Sequence, residues 1–221
     1  MRIGIITPAP PRTRHGNRVT ALRWSGILKR LGHRVTIAQH YTDESFDLLI
    51  ALHARRSHSS IKRFHRAHPD RPLIVALTGT DLYRDLKTSR QAWQSLELAT
   101  RIIVLQPEAL KELPEDLQRR TQVIYQSVQP FCFSNPKSQT PGRFTVCVIG
   151  HLRAVKDPFR AAMAARLLPA ASRLQIIHIG RAMTEAMAQR AQREMKINPR
   201  YQWLGELSPS QTRRLLAESD L

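Results

Sequence analysis

Binding a phosphate or diphosphate calls for cations beside backbone amides that a glycine leaves accessible, and four stretches of the sequence offer parts of that combination. The sharpest is Gly150-His151-Leu152-Arg153-Ala154-Val155-Lys156-Asp157-Pro158. Arg153 supplies a planar fork of donors and Lys156, three residues on, a point charge, just ahead of an Asp-Pro helix start. The second stretch, Pro8-Ala9-Pro10-Pro11-Arg12-Thr13-Arg14-His15-Gly16-Asn17-Arg18, is a stiff proline turn that delivers four basic side chains around Gly16. A solvated basic loop explains it equally well, since neither a Walker motif nor G-x-G-x-x-G is present. In Thr78-Gly79-Thr80-Asp81 the glycine lets backbone approach a ligand, and Asp81 either accepts a hydroxyl hydrogen bond or caps a helix. His53-Ala54-Arg55-Arg56-Ser57-His58 reads as an anion-binding lip or as plain basic surface.

Each stretch follows a short apolar run, which is where ligands gather in an open parallel sheet. The runs predict strands at Arg2–Thr7, His33–Ala38, Phe46–Leu52, Pro72–Thr78, Arg101–Leu105, Gln122–Tyr125, Phe144–Ile149, Arg173–Ile179 and Tyr201–Leu204. Several, such as Ile74-Val75-Ala76-Leu77, are apolar on both faces, as strands covered by helices on each side should be. Amphipathic stretches alternate with them, so the fold class expected is α/β with parallel sheets. Asn17 is the expected N-cap of a helix whose Ala21, Trp24, Leu28 and Leu31 form one stripe, ended by Gly32. Asp157 is the expected N-cap of a helix running from Pro158 to Leu168, and Ser208-Pro209-Ser210-Gln211 reads as a capping box.

One compositional break interrupts this rhythm, the proline-bearing stretch from Gln129 to Gly142, without helical or alternating pattern. The expected domains are therefore 1–128, a linker at 129–142, and a second α/β domain at 143–221 with three strands. A first domain of six strands is a complete doubly wound unit, and the second reads as unfinished.

The chain of 221 residues carries 35 Lys and Arg against 17 Asp and Glu, a net charge of +18 that favours anionic partners. The surplus is spread over both halves rather than concentrated in one arm, which argues for a small phosphorylated ligand over nucleic acid. Two cysteines, Cys132 and Cys147, are too few and too far apart for a metal site or a disulfide framework. No metal and no cofactor are expected. Without a membrane-length apolar run or a cleavable leader, the sequence reads as a soluble cytoplasmic protein.

The Gly150–Asp157 stretch resembles the G-R-L-x-x-x-K-G/D segment of retaining glycosyltransferases of family four, which pair two Rossmann-like domains in the GT-B arrangement. Ile176-Ile177-His178-Ile179-Gly180 and Tyr201-Gln202-Trp203-Leu204-Gly205 are similar to later strand-and-turn units of that family. More narrowly, Thr7–Pro11, His15–Trp24, Ala51–Ser57 and Leu77–Tyr83 resemble selenosugar synthases of selenoneine biosynthesis. The resemblance implies transfer of a sugar from a UDP-sugar to selenophosphate, with the UDP-sugar as donor substrate. Arg153 and Lys156 would then stabilise the leaving diphosphate. Gly16, Asn17, Arg18 and Thr20 would hold the acceptor, and Arg55, Thr80, Asp81 and His151 would complete the substrate-binding set. The family's Glu-x7-Glu motif is not in the chain, so the resemblance covers about the first two thirds of such an enzyme and implies little activity for these residues alone. A family-four transferase with a hydroxyl acceptor and a non-catalytic binding protein are the alternative readings.

Overall fold

The computed structural model describes residues 1–13, 15–128 and 142–221. The chain divides into two compact units, Met1–Gln129 and Pro130–Leu221. The linker expected at 129–142 and Cys132 lie outside the described residues, Gly142 excepted.

The first unit is built on β1 (Arg2–Ile6), α1 (Gly16–Arg30), β2 (Arg34–Ala38), β3 (Leu48–Leu52), α2 (His58–Ala67), β4 (Leu73–Ala76), α3 (Thr80–Tyr83), α4 (Arg90–Leu98), β5 (Arg101–Val104), α5 (Glu115–Gln118) and β6 (Thr121–Val123). All six strands are parallel, in the order β2-β1-β3-β4-β5-β6. The direction of winding reverses between β1 and β3, so the loops after those two strands meet at the switch point of the sheet.

Alternation along the strands divides the core. Ile3, Ile5, Ile50, Leu52 and Ala76 face Ala21 and the partly buried Trp24 and Leu28 of α1. Ile6, Leu49, Ala51, Val75 and Val104 face the other way, toward Ile61 and Phe64 of α2 and Leu96 of α4. Ile61, Phe64 and Leu96 are fully buried, each contributing about 1.5–3 kcal/mol by leaving water. Gly4 leaves room for this packing, since a Cβ there would come within 2.5 Å of the Phe46 ring.

The second unit contains β7 (Phe144–Ile149), α6 (Arg160–Arg166), β8 (Leu174–Ile179), α7 (Glu185–Ile197), β9 (Tyr201–Trp203) and α8 (Pro209–Glu218). Its strands run parallel in the order β7-β8-β9. After α8 the chain crosses back to the outer edge of β7. There Leu221 N–H donates to Thr145 O at 3.2 Å and Cys147 N–H donates to Leu221 O at 2.6 Å. Leu152, Phe159, Ala162, Ile176, Ala191 and Tyr201 form the core.

Two expected helix starts are corrected. His15, not Asn17, is the N-cap of α1, and Asn17 is already the second helical residue. Asp157 does not cap α6: it takes a left-handed conformation, φ 44°, closing a 3-10 turn at Ala154–Lys156. Its carboxylate accepts from Arg160 Nε at 2.7 Å instead of from helix amides. An N-cap needs extended backbone, which the left-handed turn removes, so the helix opens two residues later than its Asp-Pro signal. It also stops at Arg166, and Leu167 is exposed. Leu31 likewise leaves the expected stripe, as the exposed C-cap of α1, while Gly32 follows with φ 84°. The capping box at Ser208 is present as read, its hydroxyl accepting from Gln211 N–H and the Gln211 side chain accepting from Ser208 N–H.

Candidate active site

In the second unit the Gly150–Lys156 loop lies at the carboxyl end of β7. Arg153 precedes the 3-10 turn and Lys156 ends it, both exposed and neither in an ion pair among the described residues. Both cations are therefore available to an anion. His151 is partly buried, and its Nδ1 accepts from Arg181 N–H at 3.1 Å.

The backbone beneath these cations is held from inside. Leu152 pairs with Ala182 in a parallel bridge, tying the loop after β7 to the loop after β8. Gly180, at φ 154°, lets the two loops touch, because a Cβ there would sit 2.0 Å from the Gly150 carbonyl oxygen. His178, pointing from β8 into the core, lies with Nε2 3.1 Å from that same oxygen and Nδ1 3.0 Å from the Tyr201 hydroxyl. A carbonyl only accepts, so Nε2 carries the proton and Nδ1 accepts from Tyr201. Burial holds His178 below the ordinary imidazole value and pushes the Tyr201 phenol upward, which keeps both neutral. Trp203 Nε1 donates to Gly180 O at 2.8 Å, completing the support. Sequence reasoning did not assign His178 a role, although one polar residue inside Ile-Ile-His-Ile is a legible signal.

In the first unit, Gly16, Asn17 and Arg18 open α1 at the end of β1, with Gly16 exposed and no acidic residue in the first turn. Arg12 lies in the turn before them with φ 62°. Thr20 is buried, its hydroxyl accepting from Gln126 Nε2 at 3.0 Å. Arg23, one turn on, reaches Ser127 Oγ and Val128 O, both at 3.1 Å. Thr20 and Arg23 thus bind the strand-exit segment 126–128 to α1.

Asp81 is fully buried. Its Oδ1 accepts from the amides of Thr78 and Gly79, both at 2.9 Å, and its Oδ2 from Ala54 N–H at 3.0 Å. The carboxylate thereby ties the loop after β4 to the loop after β3 and is occupied by backbone. Beside it stands His53, buried and at φ 75°, with Nδ1 accepting from Arg56 N–H at 3.3 Å and Nε2 at 3.3 Å from Thr80 Oγ1. Desolvation holds His53 below its ordinary value, with Asp81 opposing. Arg55 pairs through Nε with the buried Asp85 at 2.8 Å. His53 and Asp85 were missed from sequence because their partners are 27 and 30 residues away.

The first unit thus places Gly16, Asn17, Arg18, Arg55 and Thr80 on the loops at the carboxyl ends of β1, β3 and β4, with Thr20 and Asp81 turned to internal partners. The second unit gathers His151, Arg153 and Lys156. Among the described residues no group of His, Cys, Asp and Glu is placed to hold a metal ion, and no helix is long and apolar enough to cross a membrane.

Neither a family model nor a curated protein matches the chain. Solved structures do. Anabaena HepE in complex with UDP aligns with a TM-score of 0.64 at 14% identity, covering 99% of this chain and 72% of that one. WaaB, a lipopolysaccharide outer core galactosyltransferase, aligns at 0.59 and 14% identity with the same coverage, 99% and 72%. S. aureus TarM, solved with UDP and α-GlcNAc-glycerol, aligns at 0.53 and 12% identity over 79% of this chain and 35% of that one. The fold is GT-B. Alignment over almost the whole chain at such low identity rests on the backbone, so the likeness speaks for architecture and leaves the chemistry to the loops.

Proposed function

We propose that the chain is the core of a retaining glycosyltransferase that transfers a sugar from a UDP-sugar to selenophosphate. The observation that carries the reading is the pair Arg153 and Lys156, exposed and without an ion pair among the described residues, on a backbone-braced loop at the end of β7, in a fold shared with proteins solved bound to UDP and UDP-glucose. The second unit is the donor side. Arg153 forks onto the diphosphate and Lys156 adds a point charge as the leaving oxygen becomes anionic, which costs no reorganisation at the moment of reaction. His151 lines the same loop.

The first unit is the acceptor side. Gly16, Asn17 and Arg18 present helix-start amides and a guanidinium to an anionic acceptor, with Arg55 and Thr80 on the neighbouring loops. Thr20 and Asp81 shape these loops from within. In the transfer, the selenium of selenophosphate forms a bond to the anomeric carbon while the bond from that carbon to the diphosphate oxygen breaks. UDP leaves with the electron pair. Attack on the face from which UDP departs retains the anomeric configuration without an enzymic nucleophile.

The test is calorimetric titration of UDP, followed by an assay of UDP release from UDP-sugars with selenophosphate or with a hydroxyl acceptor. Saturable UDP binding and release that depends on selenophosphate are expected. Release with hydroxyl acceptors alone would replace the acceptor, and absence of UDP binding would overturn the transferase reading.

A further inference from the structure

Asp85 is a carboxylate with two cations and almost no water. Its side chain is 4% exposed, whereas those of Arg55 and Arg84, paired to it, are 41% and 64% exposed. Arg84 Nε donates to Oδ1 at 3.1 Å, and Arg55 Nε lies 2.8 Å from Oδ2 as an ion pair outside hydrogen-bond geometry, so both guanidinium groups face the same buried carboxylate through their inner nitrogens while Oδ2 has no hydrogen-bond donor among the described residues. The terminal Nη groups of both arginines make no hydrogen bond among the described residues. A guanidinium fixed at Nε has lost much of the freedom that an exposed arginine would otherwise lose on binding, and its outer amino groups stay available as donors.

The local charge is also uncompensated. His53 has Asp81, Asp85, Arg55 and Arg56 around it and is held neutral by burial, and Arg84 pairs with Asp85. Asp81 is consumed by three backbone amides. Two inward carboxylates therefore oppose three outward arginines. The anionic side of the cluster is buried and the cationic side is exposed, at the carboxyl ends of β3 and β4.

We propose that Arg55 and Arg84, pinned by Asp85, form a binding site for a phosphate-type oxyanion. Four Nη amino groups on two oriented forks suit a tetrahedral dianion, which offers acceptors to both arginines at once, better than a planar monoanion. Assignment of that oxyanion to the acceptor substrate rests on the transferase reading above. The site itself rests only on the Asp85 geometry.

The experiment is titration of inorganic phosphate into the whole chain at constant ionic strength, followed by calorimetry, for the parent and for Arg55→Gln, Arg84→Gln and Arg56→Gln. Sodium acetate serves as the planar comparison, and UDP is titrated in parallel. Saturable phosphate binding, weakened about fivefold or more by Arg55→Gln and by Arg84→Gln but less than about twofold by Arg56→Gln, is expected. Acetate should bind more weakly, and UDP affinity should be unchanged in all three variants. No phosphate binding by the parent, equal losses in all three variants, or acetate binding as tightly as phosphate would each overturn the proposal. Should Arg55→Gln lower the melting temperature, Arg84→Gln, at the more exposed of the two arginines, decides alone. Loss of UDP binding in the parent would remove the transferase reading and leave the phosphate result standing.

Discussion

The cations of the two units are positioned by opposite means. In the first, Arg55 and Arg84 are oriented by a charge, the carboxylate of Asp85 buried beneath them. In the second, Arg153 and Lys156 have no such partner among the described residues, and what is fixed is the backbone that carries them. Gly180 fits against Gly150, His178 donates to its carbonyl, and Trp203 anchors Gly180. A paired cation gives up some of its field to its partner in exchange for direction. An unpaired one keeps its full charge for a ligand whose own charge rises during reaction, as a departing diphosphate's does. The difference also predicts where mutations will be felt, in side-chain chemistry in the first unit and in backbone packing in the second.

The most severe way to break the second arrangement is Gly180→Ala. The added Cβ would stand 2.0 Å from Gly150 O, a backbone atom that cannot swing aside, at a φ of 154° that side chains seldom adopt. A loss of about 3 kcal/mol is expected. Urea unfolding followed by hydrogen exchange into β8 and β9 should show it, with β3 and β4 unaffected. Wild-type protection in β8 would mean that the loops after β7 and β8 are not braced as described.

Next comes His178→Phe, which removes a donor to Gly150 O and leaves the Tyr201 hydroxyl without its acceptor, at about 2–3 kcal/mol. It also carries a pH signature. Burial lowers the folded-state value of His178, so between that value and the ordinary value of about 6.5 the unfolded chain binds more protons than the folded one. Stability contributed by neutral His178 is thus full above about pH 7 and is lost as the pH falls below about 6.5. Protection of β8 should fall as the pH drops below about 6.5 in the parent and change less in His178→Phe. His53 and His58 are shifted the same way in the first unit, so β3 and β4 should weaken on acidification in both proteins. Equal pH sensitivity of β8 in parent and variant would remove His178 as the titrating group.

These two residues also mark how far the sequence could be read. The nine strands of the described residues lie where apolar runs put them, because Leu-Ile-Val-Ala in β4 or Leu-Leu-Ile-Ala-Leu in β3 has no competing pattern. Ends were overextended where a neighbour is apolar for another reason. Phe46 is buried over Gly4 without joining the β3 ladder, and Tyr125 is an exposed residue beyond β6. Local capping signals succeeded at Ser208 and failed at Asp157, where a 3-10 turn one residue earlier decides the backbone. The charged loops were legible because glycine and arginine announce themselves in one dimension. The pairing of Asp81 with Ala54, of Thr20 with Gln126 and of His178 with Tyr201 was not, since these partners lie 20 to more than 100 residues apart and are set by strand order.

Lys156→Ala sharpens the comparison from the ligand side. Lys156 is exposed, and Asp157 beside it caps no helix, so the melting temperature should not move. UDP affinity should fall about tenfold, the loss of one charge-assisted contact. Matching UDP isotherms for variant and parent would detach this loop from the diphosphate.

The smallest effect expected is that of Thr20→Val, and it separates two roles for one hydroxyl. Thr20 Oγ1 accepts from Gln126 Nε2 at 3.0 Å and is buried, so the isosteric valine leaves one amide N–H of Gln126 without its acceptor. Gln126 is exposed enough to find water, which limits the cost to about 1 kcal/mol. If the hydroxyl serves only to hold segment 126–128 against α1, thermal stability falls slightly and phosphate affinity at the first unit is unchanged. If Thr20 also meets the acceptor, as its place one turn into α1 suggested from sequence, phosphate or selenophosphate affinity falls by more than that small destabilisation can transmit. The geometry favours the first outcome, because an oxygen already accepting from Gln126 and shielded from solvent must break that bond before it can reach a ligand. A severalfold loss of affinity with an unchanged melting temperature would show that the bond opens, and that segment 126–128 moves away from α1 when the acceptor binds.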